Sequence, residues 1–201
     1  MVWRRTGGVL MMKKFIFSMI IAVMVSLVPF VAFAQNYLAD DPRYIECPIG
    51  MGWVSYIDTT SVNVQEYRPP QYIITINKVE RNMQDDQNTH LRYHTFKFKY
   101  DYAQRKMYLY SPNHGDGFKN RYLNEMKHSK KPIDNTIDWN SEWQYIAPDV
   151  YYGEGTGDMA VAGEVAFAIA YNLKFHGEKY KRFQNGFYAK LPNAAKIKNN
   201  L

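Results

Sequence analysis

The stretch Gln71-Tyr72-Ile73-Ile74-Thr75-Ile76-Asn77-Lys78-Val79 decides the fold. It is rich in β-branched residues, which favour strands, and its apolar side chains fall on both faces of a two-residue alternation. One face carries Ile74 and Ile76, and the other carries Ile73 and Val79. A strand that is apolar on both sides is covered on both sides, so this pattern predicts a central strand of a sheet.

Strand patterns continue on both sides of this segment. Residues 53–58 and 61–65 are strand-like and lead to the breaker Arg68-Pro69-Pro70, while residues 90–101 and 105–111 follow at hairpin distances. In 90–101, aromatic side chains alternate with lysines, as expected for a strand with one face on the core and one in water. The pattern therefore predicts consecutive antiparallel strands.

A helix is predicted from Asp158 to Gly177. Asp158 suits the N-cap, Glu164 complements the positive end of the helix dipole, and Gly177 provides the stop. Apolar residues recur at three- and four-residue steps and form one stripe, namely Met159, Ala162, Ala166, Ile169 and Leu173. Such a stripe packs a helix onto a sheet.

The remaining segments carry weaker patterns. Residues 112–141 have little periodicity and predict a long excursion with one short helix near 121–127, before Trp143 returns to the sheet in a short strand. Residues 183–191 are a candidate final strand. The expected fold class is α+β: an antiparallel meander of about five strands in a single domain, residues 53–191, with one C-terminal helix packed on the sheet.

Two segments flank this domain. Residues 35–52 are expected to form an N-terminal lead-in, and residues 192–201 a basic C-terminal tail. Neither shows a sustained period.

The N-terminus predicts export. Basic residues precede the apolar run 15–33, which ends in Ala32-Phe33-Ala34 before Gln35. This is the charged, apolar and small-residue order of a signal peptide, so residues 1–34 are expected to be removed. The alternative is a retained membrane anchor, against which Pro29 and the cleavage-site alanines argue. The mature protein is then periplasmic, on the cell surface or secreted, with no stable membrane span.

Charge and cysteine content narrow the class further. Four of the 25 basic residues and none of the 19 acidic residues lie in 1–34, so the mature chain has a formal charge of +2. A nucleic-acid partner is not expected, because the basic residues do not cluster. The single cysteine, Cys47, excludes an internal disulfide and predicts a small, partly buried thiol, with intermolecular pairing as the alternative.

No motif predicts catalysis, a metal or a cofactor. His90 and His94 share one strand face, but no third ligand follows at a recognisable spacing. Residues 153–157, Gly-Glu-Gly-Thr-Gly, precede a helix but match no phosphate-binding fingerprint. Aspartates such as Asp85 and Asp86 lie among turn formers.

Tyrosine is abundant, with 17 residues, and several lie on the adjoining strands 90–101 and 105–111. Amphipathic rings suit recognition surfaces, and they also suit cross-strand packing. The candidate partner-binding residues are Tyr93, Lys97, Lys99, Tyr108 and Tyr110. Exposed rings beside lysines favour an acidic or glycan-bearing partner.

A family resemblance rests on Trp53-Val54-Ser55-Tyr56-Ile57-Asp58 followed by Ser61-Val62, on residues 72–79, on Phe98-Lys99-Tyr100-Asp101 and on Trp143. In this order of aromatics and strands, roughly residues 53–143 resemble the small exported surface-adhesin E-like proteins. The resemblance implies antiparallel strands, adhesion and no catalytic residues.

The leading functional hypothesis is therefore a non-enzymatic cell-envelope or secreted protein that binds a cell-surface or matrix macromolecule. The alternative is a small-ligand carrier with a pocket between helix and sheet. An envelope hydrolase is the third option, and it would require Cys47 or an aspartate close to His90 or His94.

Overall fold

The computed structural model describes residues 37–48, 52–84, 91–112, 115–150 and 159–198. Six strands form one antiparallel sheet, and each strand pairs with the strands next to it in sequence. The strands are β1 (Tyr44–Pro48), β2 (Trp53–Arg68), β3 (Gln71–Asn82), β4 (Leu91–Asp101), β5 (Lys106–Tyr110) and β6 (Trp143–Tyr145).

Helices and short turns complete the fold. The α-helices are α1 (Tyr37–Asp40), α2 (Gly115–His128) and α3 (Met159–Tyr171). Four 3₁₀ turns follow α3, at Gly177–Lys179, Lys181–Phe183, Tyr188–Lys190 and Ala194–Lys196. The α+β class and the antiparallel meander are confirmed, but the expected count of about five strands and one C-terminal helix was too low.

The two-sided apolar strand is central, as predicted. β3 lies between β2 and β4, and the side chains of Ile74 and Ile76 are fully buried in the main core. On the opposite face, Val79 belongs to a smaller buried cluster that includes Leu38 of α1. Other parts of the chain therefore cover both faces of β3.

β1 and α1 form where the sequence predicted only a lead-in. Arg43 Nε and Nη2 donate to the two carboxylate oxygens of Asp58 at 2.9 and 2.7 Å, which ties this edge to β2. β2 itself is one strand of 16 residues, because register shifts after Asp58 and after Val64 absorb the irregular stretch between the two predicted segments.

The C-terminal helix is shorter and more deeply buried than its stripe predicts. α3 ends at Tyr171, because Asn172 adopts a left-handed conformation with φ of 55°. Every residue from Ala162 to Ala168 is buried, so Ala166 is covered as expected, whereas Ile169 is only half-buried. Leu173 lies beyond the helix and bridges to Lys198.

The structure confirms some of the predictions made from weak patterns and corrects others. The excursion contains the predicted helix, which is longer than 121–127, and the short strand at Trp143 is confirmed as β6. Residues 183–191 form 3₁₀ turns and no strand. The segment after Pro192 folds back on the end of α3, where Lys198 N–H donates a hydrogen bond to Asn172 O.

Several predictions fall outside the described residues: the leader 1–34, Asp85, Asp86, His90, the glycine-rich residues 153–157 and the N-cap Asp158. Within the described part of the chain, no helix is long and apolar enough to cross a membrane.

Candidate functional site: a lysine and aromatic face of the sheet

Register along the last three strands gathers lysines and rings on the sheet face opposite α3. Lys99 pairs with Tyr108, Tyr108 pairs with Tyr145, and Tyr110 pairs with Trp143. Side chains alternate between faces, so these groups point away from the buried residues between them. We call this surface the lysine–aromatic face; its members are Lys97, Lys99, Tyr108, Tyr110, Trp143 and Tyr145.

The two lysines of this face lie over its rings. Lys97 Nζ is 5.6 Å from the ring centroid of Tyr110 and 5.7 Å from that of Trp143. Lys99 Nζ is 5.1 Å from the centroid of Tyr108 and 5.0 Å from that of Trp143. These are cation–π distances, and both ammonium groups share one indole.

The rings also pack against one another and against α2. Tyr110 and Trp143 lie 5.3 Å apart between centroids, and Tyr108 and Tyr145 lie 5.8 Å apart. Tyr122 of α2 contacts Tyr145 edge-on at 5.9 Å and so borders this end of the face. Cross-strand packing fixes the rings on which the lysines rest.

The face is electrostatically positive. Burial lowers the pKa of the Lys99 ammonium and raises the pKa of the Tyr108 hydroxyl. Among residues that the structure describes, no carboxylate lies within ion-pairing distance of Lys97 or Lys99. Two neighbouring ammonium groups that have no counter-ion among the described residues favour the binding of an anion.

Four of the five residues predicted for partner binding are brought together: Lys97, Lys99, Tyr108 and Tyr110. Tyr93 lies farther along β4, on the same face, and its side chain is 67% exposed. Sequence reasoning missed Trp143 and Tyr145 as members of the face. The predicted short strand at Trp143 was a partial signal, because pairing with β5 places alternate residues beside Tyr108 and Tyr110, but the partner strand and the register are known only from the structure.

The structure does not place Cys47 near His94, as the hydrolase hypothesis requires. Cys47 is buried on β1, whereas His94 lies on β4, and the two intervening strands put them about 14 Å apart. His94 Nε2 instead lies 3.2 Å from Glu80 Oε2. Within the described ranges, no group of three or more histidine, cysteine or acidic side chains could hold a metal ion.

The contact between α3 and the sheet is filled. A Cβ added at Gly163 would lie 2.1 Å from Met107 Sδ and 3.3 Å from Phe98 Cε1. The predicted ligand pocket between helix and sheet therefore finds no space at this contact. An open cavity of about 530 Å³ lies instead beyond the end of α3, lined by Tyr171, Asn172, Leu173 and residues 195–198.

A buried carboxylate joins α3 to the segment that follows it. Glu164 is fully buried and accepts hydrogen bonds from Phe175 N at 2.8 Å, His176 Nδ1 at 2.9 Å and the Tyr188 hydroxyl at 2.5 Å. Burial beside this carboxylate raises the pKa of Tyr188 well above its usual value. The sequence predicted that Glu164 complements the positive end of the helix dipole, whereas in the structure it is a buried acceptor for the segment after α3.

In comparisons with known proteins, the chain matches no family model, no curated protein and no solved structure. The resemblance to surface-adhesin E-like proteins stays a prediction.

Proposed function

We propose that this protein is an exported, non-enzymatic cell-envelope or secreted protein that binds a macromolecular partner through the lysine–aromatic face. The observation that supports this is the placement of Lys97 and Lys99 over the rings of Tyr108, Tyr110 and Trp143. Lys99 is partly desolvated, and among the described residues neither lysine has a carboxylate within ion-pairing distance. Desolvation without a counter-ion costs free energy, so packing alone does not account for this lysine.

The shape of the face favours a large partner over a small ligand. It is a sheet surface formed by β4, β5 and β6, and the apolar residues behind it fill the core. Binding on an open surface buries too little of a small molecule, whereas a macromolecule covers many side chains at once.

The test is binding of the exported, processed protein to immobilised basement-membrane matrix. Tyr93→Ala and Tyr110→Ala should each weaken binding by about 1–2 kcal/mol while the melting temperature changes little, because both rings are at least 40% exposed.

Tyr67→Ala is the matched control. Tyr67 is 66% exposed, nearly the same fraction as Tyr93, but its ring packs against Tyr171 on the helix side of the sheet. If the wild-type protein does not bind, or if Tyr67→Ala lowers binding as much as Tyr93→Ala, the face is not the binding surface.

A further inference from the structure

The lysines of the face are held in place before any partner arrives. A free lysine loses about 1.5–2 kcal/mol of side-chain entropy when it is immobilised. Here the rings of Tyr108, Tyr110 and Trp143 already support Lys97 and Lys99. A cation–π contact leaves the ammonium N–H groups free to donate, so both lysines are preorganised donors for anionic oxygens.

The binding groups follow one strand. Tyr93, Lys97 and Lys99 lie at odd positions of β4 and therefore share a face. From Tyr93 to Lys99 the strand advances about 20 Å, at about 3.3 Å per residue. A row of binding side chains of this length, on an open surface, fits an extended polymer better than a compact ligand.

The chemistry of the row favours a sugar polymer. The large apolar side chains of this face that are exposed, Tyr93 and Tyr110, are aromatic rings with polar tips, not aliphatic anchors. Ring faces carry partial negative charge and attract the C–H faces of sugars. Protein partners, in contrast, are usually anchored by side chains that enter desolvated pockets.

Building on the proposed function, we infer that the partner is an acidic polysaccharide, whose carboxylate or sulfate groups bind Lys97 and Lys99 while its sugar rings lie along Tyr110 and Tyr93. Of the two carboxylates at the borders of the face, Asp134 has its own cation, whereas Asp101 keeps its charge on the same strand face as Lys99 but forms no ion pair with it. Asp101 accepts a hydrogen bond from Gln71 Nε2 at 2.8 Å, and Asp134 is paired with Lys106 at 2.7 Å.

The experiment compares dextran sulfate, unmodified dextran of equal length and poly-L-glutamate as ligands of the processed protein. Dextran sulfate should bind, and its affinity should fall as salt screens the charges. Unmodified dextran should not bind detectably, and poly-L-glutamate should bind at least about tenfold more weakly than dextran sulfate. The double variant Lys97→Gln/Lys99→Gln should lose about tenfold in affinity or more for dextran sulfate.

A charge-matched control separates the site from bulk attraction. Lys127→Gln/Lys130→Gln removes the same charge from exposed positions at the end of α2 and the turn after it, and it should bind nearly as wild type. Equal losses in the two double variants would mean non-specific attraction and would overturn the inference. Tighter binding of poly-L-glutamate than of dextran sulfate would assign an acidic protein partner instead.

Enzymatic removal of glycosaminoglycans from the matrix tests the polysaccharide inference separately from the proposed function. If enzymatic removal abolishes matrix binding, the polysaccharide assignment holds. If binding persists and still depends on Tyr93 and Tyr110, the face is functional but its partner is not an acidic polysaccharide. If the untreated matrix is not bound, the proposed function fails as well.

Discussion

At the scale of single residues, Gly163 is a point of close contact between α3 and the sheet. Its missing side chain leaves room for Met107, whose sulfur would lie only 2.1 Å from an added Cβ. The Gly163 carbonyl also accepts a hydrogen bond from the buried Tyr100 hydroxyl at 2.8 Å. An alanine at this position would force the thioether end of Met107 to move within the core.

Gly163→Ala is expected to destabilise the fold. Overpacking of a filled core costs about 1–3 kcal/mol, which exceeds the gain of about 1 kcal/mol from replacing a helical glycine by alanine. Urea unfolding measures the difference. Gly117→Ala in α2 is the control, because no heavy atom lies within 4 Å of its added Cβ, and it should be neutral or stabilising. A stabilised Gly163→Ala protein would mean that Met107 moves aside at no cost.

The alternation of residues along a strand was the most predictable property at this scale. Phe98 and Tyr100 are buried, and Lys97 and Lys99 lie on the other face, as the two-residue period requires. The role of Glu164 was not predictable. Its partners, Phe175, His176 and Tyr188, come from a segment without periodicity, so no local pattern indicates where they fold back.

At the scale of elements, α3 and the segment behind it form one unit through Glu164. The buried carboxylate receives donors from both the backbone and the side chains of residues 175–188. A buried carboxylate is tolerated only when its oxygens are hydrogen-bonded. The 3₁₀ turns that replace the predicted strand at 183–191 are what bring Tyr188 to this carboxylate.

Tyr188→Phe should weaken this unit. Removing a hydrogen bond to a charged group costs about 1.5–3 kcal/mol, and urea unfolding should show a loss of that size. Limited proteolysis should also cut the segment after α3 faster than in the wild-type protein. Tyr180→Phe is the control, because its hydroxyl makes no hydrogen bond within the part of the chain that the structure describes, and it should change stability little. Equal stability of the two variants would refute the role of Glu164.

Segments with a strong hydrophobic period were predicted well as strands or helices. The ends of these strands and helices depend on contacts with other elements. β4 and β5 lie within one residue of their predicted bounds, and β3 begins at the predicted Gln71 but continues three residues beyond Val79. β1 is a five-residue edge strand, and the Arg43–Asp58 ion pair joins the residue just before it to β2. The end of α3 was misplaced because Asn172 takes the left-handed conformation that Gly177 was expected to supply.

At the scale of the whole molecule, the leader remains the main prediction about cellular location. Ala32 and Ala34 fit the small-residue positions of a cleavage site. Intact-mass measurement of exported protein should therefore give a chain that begins at Gln35. Ala34→Arg should block processing, whereas Val31→Ala, next to the site, should not. Exported wild-type protein that retains residues 1–34 would contradict the prediction.

The lysine–aromatic face was partly predictable because it lies on neighbouring strands. Sequence order alone indicates that β4 and β5 are hairpin neighbours, and the register in the structure places Lys99 beside Tyr108. Trp143 reaches the same face only after the excursion that contains α2. The sequence gives no register for a return over so many residues, which is why Trp143 and Tyr145 were not assigned to the face.

The strand order has a consequence for how the chain reaches its fold. Since every strand pairs with its sequence neighbour, the sheet can grow one hairpin at a time behind the advancing chain, N-terminus first. The helix that covers Phe98 and Met107 arrives last, after all six strands. Until residues 159–198 emerge, a finished sheet carries a bare apolar side. A chain whose strands have paired before α3 emerges is therefore prone to aggregate, and its yield depends on how quickly α3 follows.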